Sequence, residues 1–236
     1  MKTVCSLLQF TTILPLGKPQ DFERFARHSY LLPVAGYVIG LLVALPVFFI
    51  HDRVIAAAAA TAGVILLSGA HHFDGLLDLG DALMVHGERE KRVRALTDRY
   101  VGAGGIAAGF LVTLLLFAGF TAVPWIVPAV IIGEVGAKFS MAFLTAYGPP
   151  FKEGIHQYLH GFARPYFPFL SLLACLPLIF LPICPVALAT AAIIMIACPA
   201  VMLRVSEELF GGINGDVVGA THEITRAAIV LAIALV

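Results

Sequence analysis

Residues 71–90 read HHFDGLLDLGDALMVHGERE and place three aspartates, Asp74, Asp78 and Asp81, between two stretches apolar enough to lie in a bilayer. If residues 74–84 are helical, at about 100° per residue the three carboxylates share a sector of about 60°, with Leu76, Leu79 and Leu83 on the opposite side. Carboxylates at i, i+4 and i+7 repel one another, so the face asks for a cation. A hard divalent ion suits it: Mg²⁺ is held by one or two carboxylates together with substrate phosphates, whereas larger all-protein oxygen cages suit Ca²⁺. The bland alternative is a solvated acidic face, but charge beside lipid is costly and marks function. The pattern therefore reads as a platform for Mg²⁺ and a diphosphate, with Asp78, the central residue, as its surest ligand.

Two further polar segments could complete such a site. The first, LTDRYVGAGG, offers Asp98 and Arg99 near a membrane entry, with Gly102 and Gly105 as small residues where a phosphorylated substrate could approach the backbone. Most of the basic run before it is explained more simply as an anchor for the following span. The second, GGINGDVVGATHEITR, surrounds Asn214 and Asp216 with Gly212, Gly215 and their neighbours. A glycine-rich turn opening a helix presents free N–H groups and a positive dipole end to phosphate, although helix termination alone would also account for the glycines.

Composition sets the elements that must position these groups. Hydrophobic residues make up 60% of the 236 and charged residues only 13%, and the mean hydropathy is +0.94. This is the signature of an integral membrane protein. With 15 basic and 15 acidic residues the net charge is zero, which argues neither for a nucleic-acid partner nor for a peripheral membrane binder, and no nucleic-acid partner is expected. Runs of roughly 20 apolar residues occur at 31–50, 54–70, 102–123, 125–147, 167–183 and 185–203, and a seventh at 217–236 is polar in its first half. Backbone groups in lipid must be satisfied internally, so the spans are helices. The expected fold is a single integral membrane domain over 1–236: an all-α polytopic helical bundle of six to seven transmembrane helices, with the acidic amphipathic helix at the cytoplasmic face. Its N-terminal stretch is expected as a retained interfacial helix.

Loop charge orients the bundle. Segments 1–30, 71–100, 148–166 and 204–226 hold 4, 5, 2 and 2 Lys and Arg residues, against Arg53 alone in the opposite turns. That asymmetry puts the N-terminus and every long polar segment in the cytoplasm, where they can converge on one site. The four cysteines lack C-x-x-C spacing, so neither a disulfide nor a thiolate metal site is expected. Glu134 and Lys138, at i and i+4 in the fourth span, read either as an internal ion pair or as a substrate contact. His156 and His160 share the same spacing without the carboxylate of a zinc-helix motif.

The motifs together resemble the cobalamin synthase family, the adenosylcobinamide-GDP ribazoletransferases. HHFDGLLDLGDAL is similar to that family's H-x-D-G-x2-D-x2-D signature, LTDRYVGAGG to its D-S-R-x-G-x-x-G stretch, and GGINGDVVGATHEIT to its G-G-x-T-G-D-x-x-G-A-x-x-E-x-T. The opening LLQFTTILPLG and the Glu134/Lys138 pair also look like family features, and the likeness runs over essentially the whole chain. Asn214 stands where threonine is usual, Arg226 at a position often acidic, and Arg99 one place early.

The resemblance implies that a ribose hydroxyl of α-ribazole, or of its 5′-phosphate, attacks adenosylcobinamide-GDP and releases GMP. On that basis Asp74, Asp78, Asp81 and Asp216 are expected to hold Mg²⁺ against the diphosphate. Arg99, Gly102, Gly105, Gly212, Asn214, Gly215, Lys138 and Glu134 are expected around the substrates, and Asp98 or His72 is expected to take the hydroxyl proton. The bilayer is the remaining partner, and self-association into a homo-oligomer is left open. A CDP-alcohol phosphotransferase would need D-G-x2-A-R with a following G-x3-D-x3-D, and a prenyltransferase a second D-x3-D; neither occurs. A metal transporter would place acids deep in several spans, whereas the six clear ones contain only Glu134.

Overall fold

The computed structural model describes residues 2–236. Twelve α-helices follow one another along the described chain: α1 (Lys2–Thr11), α2 (Phe22–Arg27), α3 (Leu32–Phe48), α4 (Arg53–Leu67), α5 (His71–Met84), α6 (Arg89–Leu96), α7 (Ala103–Ala122), α8 (Ile126–Tyr147), α9 (Ile155–Phe162), α10 (Phe167–Cys175), α11 (Pro185–Phe210) and α12 (Gly215–Ala234). Short 3₁₀ turns at Ser29–Leu31 and Leu176–Phe180 extend α3 and α10. Five of these helices are long and apolar enough to cross a membrane, or up to seven spans if each of two bent pairs counts as one. The protein is thus an all-helical, multi-pass membrane bundle.

Boundaries differ from the hydropathy reading at three places that bear on the site. α4 stops at Leu67 instead of running to residue 70, because Gly69 (φ 70°) and Ala70 (φ 57°) take left-handed conformations that turn the chain by 93° into α5. The acidic helix is therefore no continuation of the span before it; it lies across the bundle and packs on α7 and α12. α11 runs on past residue 203 to Phe210, where Gly211 (φ 86°) caps it by donating to the Ser206 and Glu207 carbonyls. The seventh expected span is α12, which begins at Gly215, so the polar stretch before residue 227 lies inside it. Its 20 residues make it long enough to span. Arg226 is consequently a buried helical residue and drops out of the loop-charge comparison.

α8 and α12 form the enclosed centre, while α7 and α11 present Phe110, Leu111, Ile193 and Ile196 outward, as lipid-facing helices do. α3 lies closely along α8 through Gly36 and Gly40. A Cβ at these positions would come within 2.8 Å of the Val135 Cα and 3.0 Å of the Ile131 Cα. With no hydrophobic driving force between helices in lipid, such close backbone approach supplies the packing energy.

Candidate functional site

The site forms where α5 crosses the starts of α7 and α12. Leu76 and Leu79 of α5 are buried at 2% and 1% exposure, while Asp74 is exposed and Asp78 half-buried, so the expected amphipathic phase holds there. Leu83 departs from it, being 43% exposed one residue from the helix end. Two glycines bring the neighbours in. A Cβ on Gly75 would overlap the Asp216 backbone, and one on Gly80 would come within 2.8 Å of the Gly104 carbonyl oxygen. The first contact draws Asp216 of α12 to the acidic face.

Asp78 records the crowding. Burial, then the charges of Asp216, Asp74 and Asp81, push its carboxyl up from 3.8 to about 7, and Lys152 opposes the shift. Asp74, Asp78 and Asp216 form no salt bridge among the described residues. Asn214 holds Asp216 in place. Its Oδ1 accepts from the Val217 N–H at 3.0 Å as the α12 N-cap, and its Nδ2 donates to Asp216 Oδ2 at 2.6 Å.

Asp81 does something the helical phase does not disclose. Its Oδ2 accepts from the Gly102 N–H at 2.6 Å and its Oδ1 from the Gly105 N–H at 2.8 Å, so one carboxylate caps the N-terminus of α7. Gly102 and Gly105 allow this approach. A Cβ on the first would stand 2.5 Å from Asp81 Oδ1, and on the second 2.7 Å from the Leu77 carbonyl oxygen. These two glycines therefore admit α5 itself. Gly212 is likewise packed against the Pro149 carbonyl, while Gly215 faces open space at the α12 start.

Asp98 and Arg99 lie exposed in the connection between α6 and α7, where Asp98 accepts from the Tyr100 N–H. Neither is joined to the aspartates by a hydrogen bond or ion pair among the described residues. The cation whose field reaches Asp78 is Lys152, which the sequence reading passed over. It follows Pro149–Phe151, a segment tied to the glycine-rich turn by Ile213 N–H to Pro149 O at 2.8 Å and Phe151 N–H to Ile213 O at 3.3 Å. Its only sequence signal was a lone lysine after a span, which is equally an anchor.

Beneath the acidic face lies a second, dry cluster. Glu134 and Lys138 are both fully buried, and the internal ion pair that was one of their two readings is not formed. Glu134 binds Arg226 across the α8–α12 contact at 2.7 Å, and Arg226 also pairs with Glu223. Lys138 points its Nζ at the Met141 sulfur, 3.8 Å away. The reason is reach: the guanidinium forks between two carboxylates on different helices, which an ammonium on the same helix turn cannot do. His222 lies 3.2 Å from Glu223 and stacks on His72 with ring centroids 4.2 Å apart. His72, His222 and Glu223 place ligand-capable atoms within 4.8 Å of one another, all buried. His72 therefore links the dry cluster to the acidic helix. The clue in the sequence was T-H-E-I-T-R, whose 222, 223 and 226 share one helix face.

His156 and His160 each face a backbone carbonyl at the end of α8, Gly148 and Thr145 respectively, at 2.9 Å. They close that helix end, and the four cysteines are free.

A family model described as cobalamin-5-phosphate synthase matches residues 3–234. Among curated proteins, adenosylcobinamide-GDP ribazoletransferase of Halorubrum lacusprofundi is 36% identical over 244 residues, covering 94% of this chain and 92% of the relative. The proteins of the same name from Methanosarcina mazei and Pyrococcus abyssi are each 31% identical, covering 96% and 94% of this chain and 90% and 93% of their own lengths. No solved structure matches. With its acidic helix, its glycine-rich turn and its bundle all inside the matched region, the chain belongs to the cobalamin-5-phosphate synthase family.

Proposed function

We propose that this protein is an adenosylcobinamide-GDP ribazoletransferase of the cell membrane. It joins adenosylcobinamide-GDP to α-ribazole or its 5′-phosphate, with its polar end and both substrates on the cytoplasmic side. The observation that carries this reading is the gathering of Asp74, Asp78 and Asp216 at one helix crossing, beside Lys152, in a chain of this family. A ribose hydroxyl oxygen bonds to the cobinamide-side phosphorus, the bond from that phosphorus to the oxygen bridging it to GMP breaks, and the hydroxyl gives up its proton. Displacement at a diphosphate is mostly positioning and charge neutralisation, which these residues suit.

The donor set fits Mg²⁺: carboxylate oxygens only, with no ion pair among the described residues, one of them titrating near neutrality through burial and like charge. Asp74, Asp78 and Asp216 would hold the ion, and Asp81 has lone pairs left beside its cap. When bound, the ion supplies neutralisation of the diphosphate. Asn214 orients Asp216, and Lys152 offers a mobile cation to phosphate oxygens. Arg99, one loop away, remains the candidate for the departing GMP phosphate. Of the two candidate bases, His72 is favoured over Asp98. It lines the cavity that opens at Asp216 and its Nδ1 is buried without a partner, whereas Asp98 is spent on a turn.

The test is GMP release by detergent-purified protein given adenosylcobinamide-GDP and α-ribazole phosphate, singly and together, with and without Mg²⁺. Release that requires both substrates and the metal is expected. Release without the second substrate would make it a hydrolase instead.

A further inference from the structure

Beside Asp216 and the start of α5 lies a cavity of about 250 Å³, of which the chemistry above uses only the edge at His72 and Asp216. His71, Gly215 and Asp216 line its polar part, and Phe10, Phe25 and Leu159 are among its more extensive apolar walls. The aromatic wall is built: Phe10 packs on Phe22 and Phe25 with ring centroids 4.6 and 5.3 Å apart, and Tyr158 stacks on Phe22 at 5.3 Å. Four buried polar side chains complete the lining, Thr11, His72, Thr145 and His156, and the Nδ1 atoms of both histidines lack a partner. His156 is 4% exposed, and its Nε2 must carry the proton because it faces the Gly148 carbonyl, so its Nδ1 is a bare acceptor without a partner. A buried acceptor left unpaired is costly, and such groups await a donor.

We propose that this cavity holds the base of the acceptor nucleoside, its ribose directed to Asp216, and that His156 Nδ1 accepts a hydrogen bond from that base. This rests on the ribazole acceptor proposed above. A planar bicyclic base suits aromatic walls. Diphosphate does not suit an apolar interior, and a corrin macrocycle is too large for it. The guanine of the donor carries more polar edges than the unpaired ring nitrogens of His72 and His156 could answer. The specificity that follows is for bases bearing a ring hydroxyl or amino group over bases that carry only methyl groups there.

Two acceptors on the unaltered protein make the test, the ribazole phosphates of 5-hydroxybenzimidazole and of 5,6-dimethylbenzimidazole. GMP release gives kcat/KM for each, and intrinsic fluorescence gives binding of each without donor or Mg²⁺. The hydroxylated acceptor is expected to be favoured about tenfold, and His156→Leu to bring the two within about twofold. Leu159→Trp, which fills the cavity, is expected to raise the acceptor KM about tenfold or more while leaving the donor KM where it was. Equal kcat/KM for the two acceptors would overturn the role of His156. An unmoved acceptor KM in Leu159→Trp would overturn the placement of the base and leave the cavity to a lipid chain. Both failures leave GMP release intact, whereas absence of GMP release with preserved, hydroxyl-selective nucleoside binding would sink the transferase and keep the cavity as a nucleoside site.

Discussion

Two clusters of ionised side chains lie within two turns of each other on α12, and they are built on opposite rules. The inner one, Glu134, Glu223, Arg226 and Lys138, is at most 1% exposed and sets two acids against two bases, with Arg226 forked between carboxylates of two helices. The outer one, Asp74, Asp78 and Asp216, is partly open and gathers acids alone, with Lys152 at its edge. Burial without balance would be ruinous, so the dry cluster must neutralise itself. Excess charge survives only where something from solution can answer it. Charge balance, more than the mere presence of acids near lipid, separates the group that holds the bundle together from the group that awaits a ligand.

The contrast is broken most severely at its outer member. Asp78→Asn is expected to lower GMP release by on the order of 10²–10³-fold, the scale of losing one preorganised charge at a reacting phosphate. Its melting temperature should hold or rise, since a like-charge repulsion is removed. Wild-type turnover in this variant would end the metal assignment. At the inner cluster the sign reverses. Arg226→Met leaves two buried carboxylates unpaired and is expected to cost about 3–5 kcal/mol of stability, read as lost detergent-extracted, monodisperse protein. Adding Glu134→Gln and Glu223→Gln to it should recover much of that loss, and a triple variant no better than the single would show that the cluster is not a balanced unit.

Proton linkage sharpens the same difference. The Asp78 carboxyl titrates near 7 in the folded protein against 3.8 ordinarily, so folding takes up a proton between those values. Metal-free stability therefore declines as pH rises from about 4 to 7. Mg²⁺ competes with that proton, and the melting-temperature gain on adding it should be larger at pH 8 than at pH 6. An equal gain at both would place the ion away from Asp78. The smallest effect is expected at Asp81→Ala, where loss of the α7 cap costs about 1 kcal/mol. Partial GMP release should survive, because the other three carboxylates are untouched.

What the sequence disclosed and withheld follows from range. The spacing of Asp74, Asp78 and Asp81 is a local property of one helix, so the acidic face and its link to the glycine-rich turn were legible before any fold was known. That Asp81 spends both oxygens on Gly102 and Gly105 was not, because a cap formed across 21 and 24 residues leaves no periodic trace. The partner of Glu134 was hidden for the same reason: the nearest base in sequence is Lys138, but the one in space is 92 residues away. Span counting failed where hydropathy averages over a turn, at the two left-handed residues that break α4 from α5.

Gly75 and Gly80 lie on the same helix five residues apart, one seated on α12 and the other on α7. Turning α5 by a single residue, about 100°, would drive side chains into both neighbours at once. The acidic helix therefore has a fixed length as well as a fixed composition. An insertion or deletion between these glycines would slide one contact out of phase with the other. The exposed connection at 85–88, with Gly87 open to solvent on its outer side, can lengthen or shorten freely. Across natural variants of this chain, gaps should collect there and be absent from 75–80.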